Sequence, residues 1–239
     1  MEFINLHIDQ SYLEKAASLL GLTNFPSTNV QSKLIDAIGG SVEHSQKMQS
    51  MIDWIDLIEK KYRETITSVV YGMAHFIKQQ EEGFISPSQP FYVPSTSYFT
   101  ENAVTRSFSL AEKLAQLINV FEEIGDMESG HKKSVSFSKI REKTEMDLSD
   151  LHTSLSSLTT ERHAHTHGMT PEITRHKISD VQTGSINGGP PVAFIFRGID
   201  ETKLPVTPYQ QLIRCKEVMD KFAATISKIL DEIEQDLKI

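Results

Sequence analysis

Apolar residues recur at steps of three and four through most of the chain, a spacing that predicts helices rather than strands. Over residues 45–80, Met48, Met51, Ile52, Ile55, Ile58, Tyr62, Ile66, Val69, Val70, Met73 and Ile77 form one stripe, enough for a single long amphipathic helix. Ser41 or Ser45 suits its start. Gly83, Pro87 and Pro90 suit its end, because they favour turns or remove helical hydrogen bonds. Residues 83–107, rich in Ser, Pro and aromatics, read as an irregular connection over the core. A capping box, Ser109 with Glu112, opens a second helix with the stripe Leu110, Leu114, Leu117, Ile118, Phe121 and Ile124. A third helix is expected over residues 135–167, with Phe137, Ile140, Leu148, Leu151, Leu155 and Leu158 near heptad spacing, Arg162 and His165 continuing the stripe, and Gly168 and Pro171 ending it. A fourth opens on Thr207, Pro208 and Gln210 and carries Leu212, Cys215, Met219, Phe222, Ile226, Leu230, Ile233 and Leu237.

Residues 172–199 change character: alternation and β-branched residues flank a Gly/Asn turn, which suggests a small hairpin inserted between the third and fourth helices. The first forty residues hold another capping box, Ser11 with Glu14, and a weaker helical stretch over 30–38 bounded by Pro26 and Gly39. The expected architecture is all-α: a bundle of four to five helices over 41–239 with a β-hairpin insertion at 172–199, preceded by a helical leader, 1–40.

With 38% hydrophobic and 23% charged residues in 239, the composition is that of a globular protein. The one cysteine, Cys215, makes no internal disulfide, and on the apolar stripe of the fourth helix it reads as a small buried hydrophobe. Neither a signal-peptide pattern nor a run of about 18 apolar residues occurs, so a soluble cytoplasmic protein with no membrane partner is expected. The net charge of −8 argues against a uniformly basic nucleic-acid-coating surface. A local basic site remains open: Lys132, Lys133, Lys139, Arg141 and Lys143 crowd one short segment, either to meet phosphate or as a solvated helix start.

Three of the nine histidines fall at positions 163, 165 and 167, directly after Arg162. Arginine offers a permanently charged planar fork suited to phosphate oxygens, and histidine exchanges a proton near neutral pH. Together they suit phosphodiester cleavage in RNA. The 2′-OH is an internal nucleophile, an imidazole moves the proton and the guanidinium offsets charge on the phosphoryl oxygens, so no metal or other cofactor is needed. Two other readings stand beside this one. His163 and His167, one turn apart, are two ligands of a metal-dependent hydrolase if His176 or a remote carboxylate supplies a third, or the cluster is a structural helix end. His44, His75 and His152 read as packing or surface residues.

Arg162, the polar His163, three variable residues and His167, near the end of a long helix in an all-α bundle, resemble the motif of the HEPN superfamily. The resemblance covers roughly 41–239. It implies a bundle of four or five helices and a metal-independent endoribonuclease whose two motifs meet across a homodimer. Arg162 then engages the scissile phosphate, His167 transfers the proton, and His163 is the polar motif residue; His165 stands at a variable position. It also implies the toxic component of a microbial defence or toxin–antitoxin system, with an antitoxin or regulatory partner. The alternative within the same fold is a non-catalytic RNA-binding or protein-interaction module. To reconcile RNA with an acidic chain, paired copies of Arg162 with Arg175, Lys177, Lys132 and Lys133 are expected to concentrate positive potential in one cleft. Such a cleft favours unpaired nucleotides.

Overall fold

A computed structural model describes residues 7–27, 29–82, 94–124, 136–167, 176–185, 191–199 and 207–237, with only the backbone for Pro94, 164–167, 176–185 and 191–199. Among these, eight helices and one antiparallel strand pair follow in order. Helix α1 spans Gln10–Leu20, α2 Val30–Asp36, α3 Val42–Glu81 and α4 Pro94–Glu122. Then come α5 over Phe137–Lys143, α6 over Ser149–Ser156, α7 over Thr159–His167, strands β1 (His176–Ser185) and β2 (Pro191–Ile199), and α8 over Pro208–Asp236. The strands pair in a register running from His176 opposite Ile199 to Ser185 opposite Pro191, with an irregularity between Ile178 and Asp180.

The long helix behaves as its pattern predicts. The Ser41 side chain accepts the His44 N–H at 3.1 Å, and Met48, Met51, Ile52, Ile55, Ile58, Tyr62, Val69 and Met73 are buried. Helix α4 departs from expectation: it starts at Pro94, so Ser109 lies in mid-helix and opens no capping box. The reason is the polar composition of its first turns. Ser95, Thr96, Thr100 and Ser107 are buried, and the hydroxyls of Thr100 and Ser107 donate to carbonyls one turn back, at 2.8 Å each. Small hydroxyl residues that satisfy themselves on their own helix can line a close helix–helix contact without reading as hydrophobic.

Helices α3 and α4 form an antiparallel pair along their length. Thr96 donates to Gln79 at 3.0 Å near one end, Arg106 donates to the Glu64 carbonyl at 3.0 Å midway, and Lys47 meets Glu123 at 2.6 Å at the other. Helix α8 packs on both. Its capping box is complete: Gln210 N–H donates to the Thr207 hydroxyl at 3.2 Å, and Thr207 N–H donates to the Gln210 side chain at 3.0 Å. Gly72 allows a close approach, since a Cβ there would lie 2.8 Å from a Leu212 methyl and 3.4 Å from Phe99 Cβ.

The expected third helix is three short ones. Its stripe is right, because Phe137, Ile140, Leu148, Leu151, Leu155 and Leu158 are all buried, but its continuity is wrong. Thr144 turns to extended backbone, donates its hydroxyl to Glu122 at 2.7 Å and accepts Met146 N–H at 3.1 Å. Asp147 then accepts from both the N–H and hydroxyl of Ser149, which start α6 and hold the Asp147 carboxyl below its usual pKa. Ser157 folds its hydroxyl back on the Ser154 carbonyl at 2.7 Å, marking the second break.

The leader also corrects one expectation. Asp9, not Ser11, stands at the cap position of α1, and Glu14 takes a hydrogen bond from Gln10 at 3.2 Å. Ala16, Leu20, Val30 and Leu34 join the same hydrophobic core as α3 and α8, and Tyr62 donates its hydroxyl to the Thr23 carbonyl at 2.7 Å.

Glu122 gives a testable electrostatic consequence. Burial pushes its carboxyl above the ordinary range, Glu145 and Glu232 push the same way, and the Thr144 hydroxyl opposes them. A carboxyl whose folded pKa is raised favours the folded state below its unfolded pKa, and that contribution is lost as pH rises through the folded value. Glu122→Gln is therefore expected to raise the melting temperature at neutral pH, with the gain disappearing in acid. Thermal melts at both pH values check this; equal melting temperatures at neutral pH would contradict it.

Candidate functional site

Helix α7 carries the Arg/His cluster, and its seating follows from which residues the core accepts. Leu158 and Glu161 face inward and are buried, whereas Arg162 and His163 are exposed. The stripe of Leu151, Leu155 and Leu158 thus continues to Glu161 by a step of three rather than to Arg162 by a step of four. With about 100° per residue, Arg162, His163 and position 167 then span an outward arc of roughly 140°, and position 165 shares the inward side with Glu161. His163 and position 167 are one turn apart. The helix by itself sets Arg162 and position 167 at the two edges of its outward surface.

Two neighbours hold α7. Arg162 Cζ lies 4.4 Å from the centroid of the Phe108 ring on α4, a cation–π contact that keeps the guanidinium over the bundle surface. Behind it, Glu161 Oε1 is 3.4 Å from Arg214 Nη1 of α8, and the same nitrogen donates to the Ser157 carbonyl at 2.9 Å. Cys215, next along α8, is fully buried. Burial pushes its thiol up to about 12, with Glu161 adding to the effect and Ser107 opposing it, so it is a packing residue and not a nucleophile.

Of the site expected from sequence, the structure describes Arg162 and His163 in full and the backbone of His167 at the last position of α7. Lys132, Lys133 and Arg175 lie outside the described residues, as does the side chain of His176. His152 pairs with Arg141 at 3.4 Å, and His75 is buried in a stack on Phe99, with 5.5 Å between ring centroids. Among the described residues no three His, Cys, Asp or Glu side chains gather as a metal site. A surface groove of about 630 Å³ lies elsewhere, lined on α3 by Asp56, Glu59, Lys60 and Arg63 and on α4 by Arg106. Its acids and bases are mixed, with Arg63 on Glu59 at 2.5 Å, and it holds no histidine.

The chemistry available among the described side chains on the outward arc of α7 is the guanidinium of Arg162 beside the imidazole of His163. The model of the HEPN_Cthe2314-like HEPN family matches residues 54–234. The chain belongs to the HEPN family. No curated protein and no solved structure matches it. The matched HEPN region takes in most of α3, all of α4 to α7, all but the last two residues of α8 and the Arg162–His167 segment, and leaves α1 and α2 outside. Among the described residues no helix is long and apolar enough to cross a membrane.

Phe108, Glu161 and Arg214 were not legible as site neighbours. The step from Leu158 to Glu161 was the available signal for the acid, since an alternation of threes and fours allows either continuation. Nothing in sequence links Phe108 or Arg214 to α7, because the contacts span more than fifty positions.

Proposed function

We propose that this HEPN protein is a metal-independent endoribonuclease acting as a homodimer on unpaired RNA. The observation that carries the reading is that the exposed Arg162 and His163 occur on the outward arc of a helix inside the HEPN-matched region. Arg162 binds the scissile phosphate and stabilises its developing charge. One imidazole of the His163 and His167 pair takes the proton of the 2′-OH as that oxygen attacks phosphorus. A second imidazole, from the same chain or the partner copy, protonates the departing 5′-oxygen, which leaves a 2′,3′-cyclic phosphate and a 5′-hydroxyl. In this proposal a second copy facing the arc supplies the other wall of a cleft and a second arginine.

Lys132, Lys133 and Arg175 extend the phosphate track in this proposal, over a domain of 41–239 preceded by the helical leader 1–40. A role as the toxic component of a microbial defence or toxin–antitoxin system, with a neutralising partner in the cytoplasm, rests on the family resemblance.

The test is digestion of total RNA by purified protein in excess chelator. Cleavage is expected, with a bell-shaped rate profile around neutrality as acid and base imidazoles titrate in opposite directions. Binding without cleavage favours a non-catalytic module, cleavage abolished by chelator favours a metal-dependent hydrolase, and a flat profile from about pH 5 to 9 removes the imidazole scheme.

A further inference from the structure

Helix α7 is nine residues long and begins just past the two residues that separate it from α6. A helix that short is marginal alone, so its direction is set by what it packs against. Its inward face offers Leu158 and Glu161. An acid buried to 4% exposure is costly unless it is paired, and among the described residues Glu161 has a partner for one oxygen only. Oε1 meets Arg214, while Oε2 is buried without a hydrogen-bond partner among the described residues.

We infer that Arg214 is a positioning residue: its guanidinium, shared between Glu161 and the Ser157 carbonyl, fixes the roll and direction of α7 and so the place of Arg162. One nitrogen reaches both the carbonyl at the α6–α7 break and the carboxylate one turn into α7. Glu161 directly precedes Arg162, so any roll of α7 that moves the carboxylate carries Arg162 through the same angle, away from Phe108. A pair of apolar residues would bury here at lower cost but would leave the roll undetermined, whereas the ion pair specifies one orientation. The consequence for catalysis rests on the ribonuclease reading above; the brace itself does not.

Full-length wild type, Arg214→Ala, Arg214→Lys and Glu161→Gln are compared by amide hydrogen exchange and by RNA cleavage. In Arg214→Ala and Glu161→Gln, amides of α7 are expected to exchange about tenfold faster while those of α3 and the middle of α8 keep wild-type rates. Cleavage by both is expected to lose about tenfold in kcat with KM within about twofold, and Arg214→Lys to recover part of each loss, since an ammonium reaches only one of two acceptors well. A residue that merely supports the fold would lower the melting temperature without separating kcat from KM. Unchanged exchange in α7 overturns the inference, as does faster exchange with wild-type kcat. Should Arg214→Ala not fold, Glu161→Gln and Arg214→Lys make the same comparison. If wild type cuts no RNA, the ribonuclease reading falls and the exchange rates still decide the brace.

Discussion

Arg162→Ala is expected to slow RNA cleavage by about 10²–10³-fold, the usual loss when a group that stabilises transition-state charge is removed. His167→Ala is expected to cost about 10²–10⁴-fold, in the range of a general acid or base. Because the two act on one phosphodiester, the double variant should be about as slow as the worse single variant rather than the product of both. Stability should barely change. Arg162 is exposed, and its contact over Phe108 is worth about 0.5–1 kcal/mol. His152→Ala, on α6, serves as the control at wild-type rate. Initial rates on a labelled single-stranded RNA, with melting temperatures alongside, read the outcome. An Arg162→Ala protein within about threefold of wild type, correctly folded, removes the arginine from the chemistry and with it the proposed Arg/His mechanism.

The buried faces of the bundle were legible where they are apolar and illegible where they are polar, whereas helix breaks were illegible in both. Helix α8 is the clear success. Its cap and its stripe both lie in consecutive, purely local patterns, and Thr207, Gln210, Leu212, Cys215, Met219 and Phe222 behave as that pattern implies. Helix α4 failed in its first turns because Thr96, Thr100 and Ser107 are core residues that do not look like core residues. The third helix failed for the opposite reason. Its leucines and isoleucine kept helical phase across Thr144 and Ser157, and periodicity does not register a break when both sides face one core. For the site, the motif positions were readable as a string, but their orientation was not. The one-residue choice between Glu161 and Arg162 as the inward position is decided by Arg214 and Phe108, both distant in sequence. A hydrophobicity pattern favours neither charged residue, so only the packed neighbours select between them.

Phe222→Ala is expected to destabilise the protein by about 3–5 kcal/mol, the cost of losing a buried aromatic and leaving a cavity. Phe222 is fully buried on α8 with its ring 5.9 Å from that of Tyr62 on α3, and Tyr62 in turn packs on Phe25 at 5.5 Å and donates to Thr23. The cavity would therefore open where the last helix, the longest helix and the segment following α1 meet. No single one of them can collapse into it without dragging the others. Against a domain stability of about 5–15 kcal/mol, this loss is a large share. Phe222→Leu keeps most of the volume and should cost distinctly less, which separates cavity formation from loss of ring contacts. Urea unfolding measures both, with unchanged slopes expected for a change in stability alone. A Phe222→Ala protein less than about 1 kcal/mol below wild type would mean that α8 is not seated on Tyr62 as described. The brace from Arg214 to α7 would then have no fixed base, since both depend on one placement of α8.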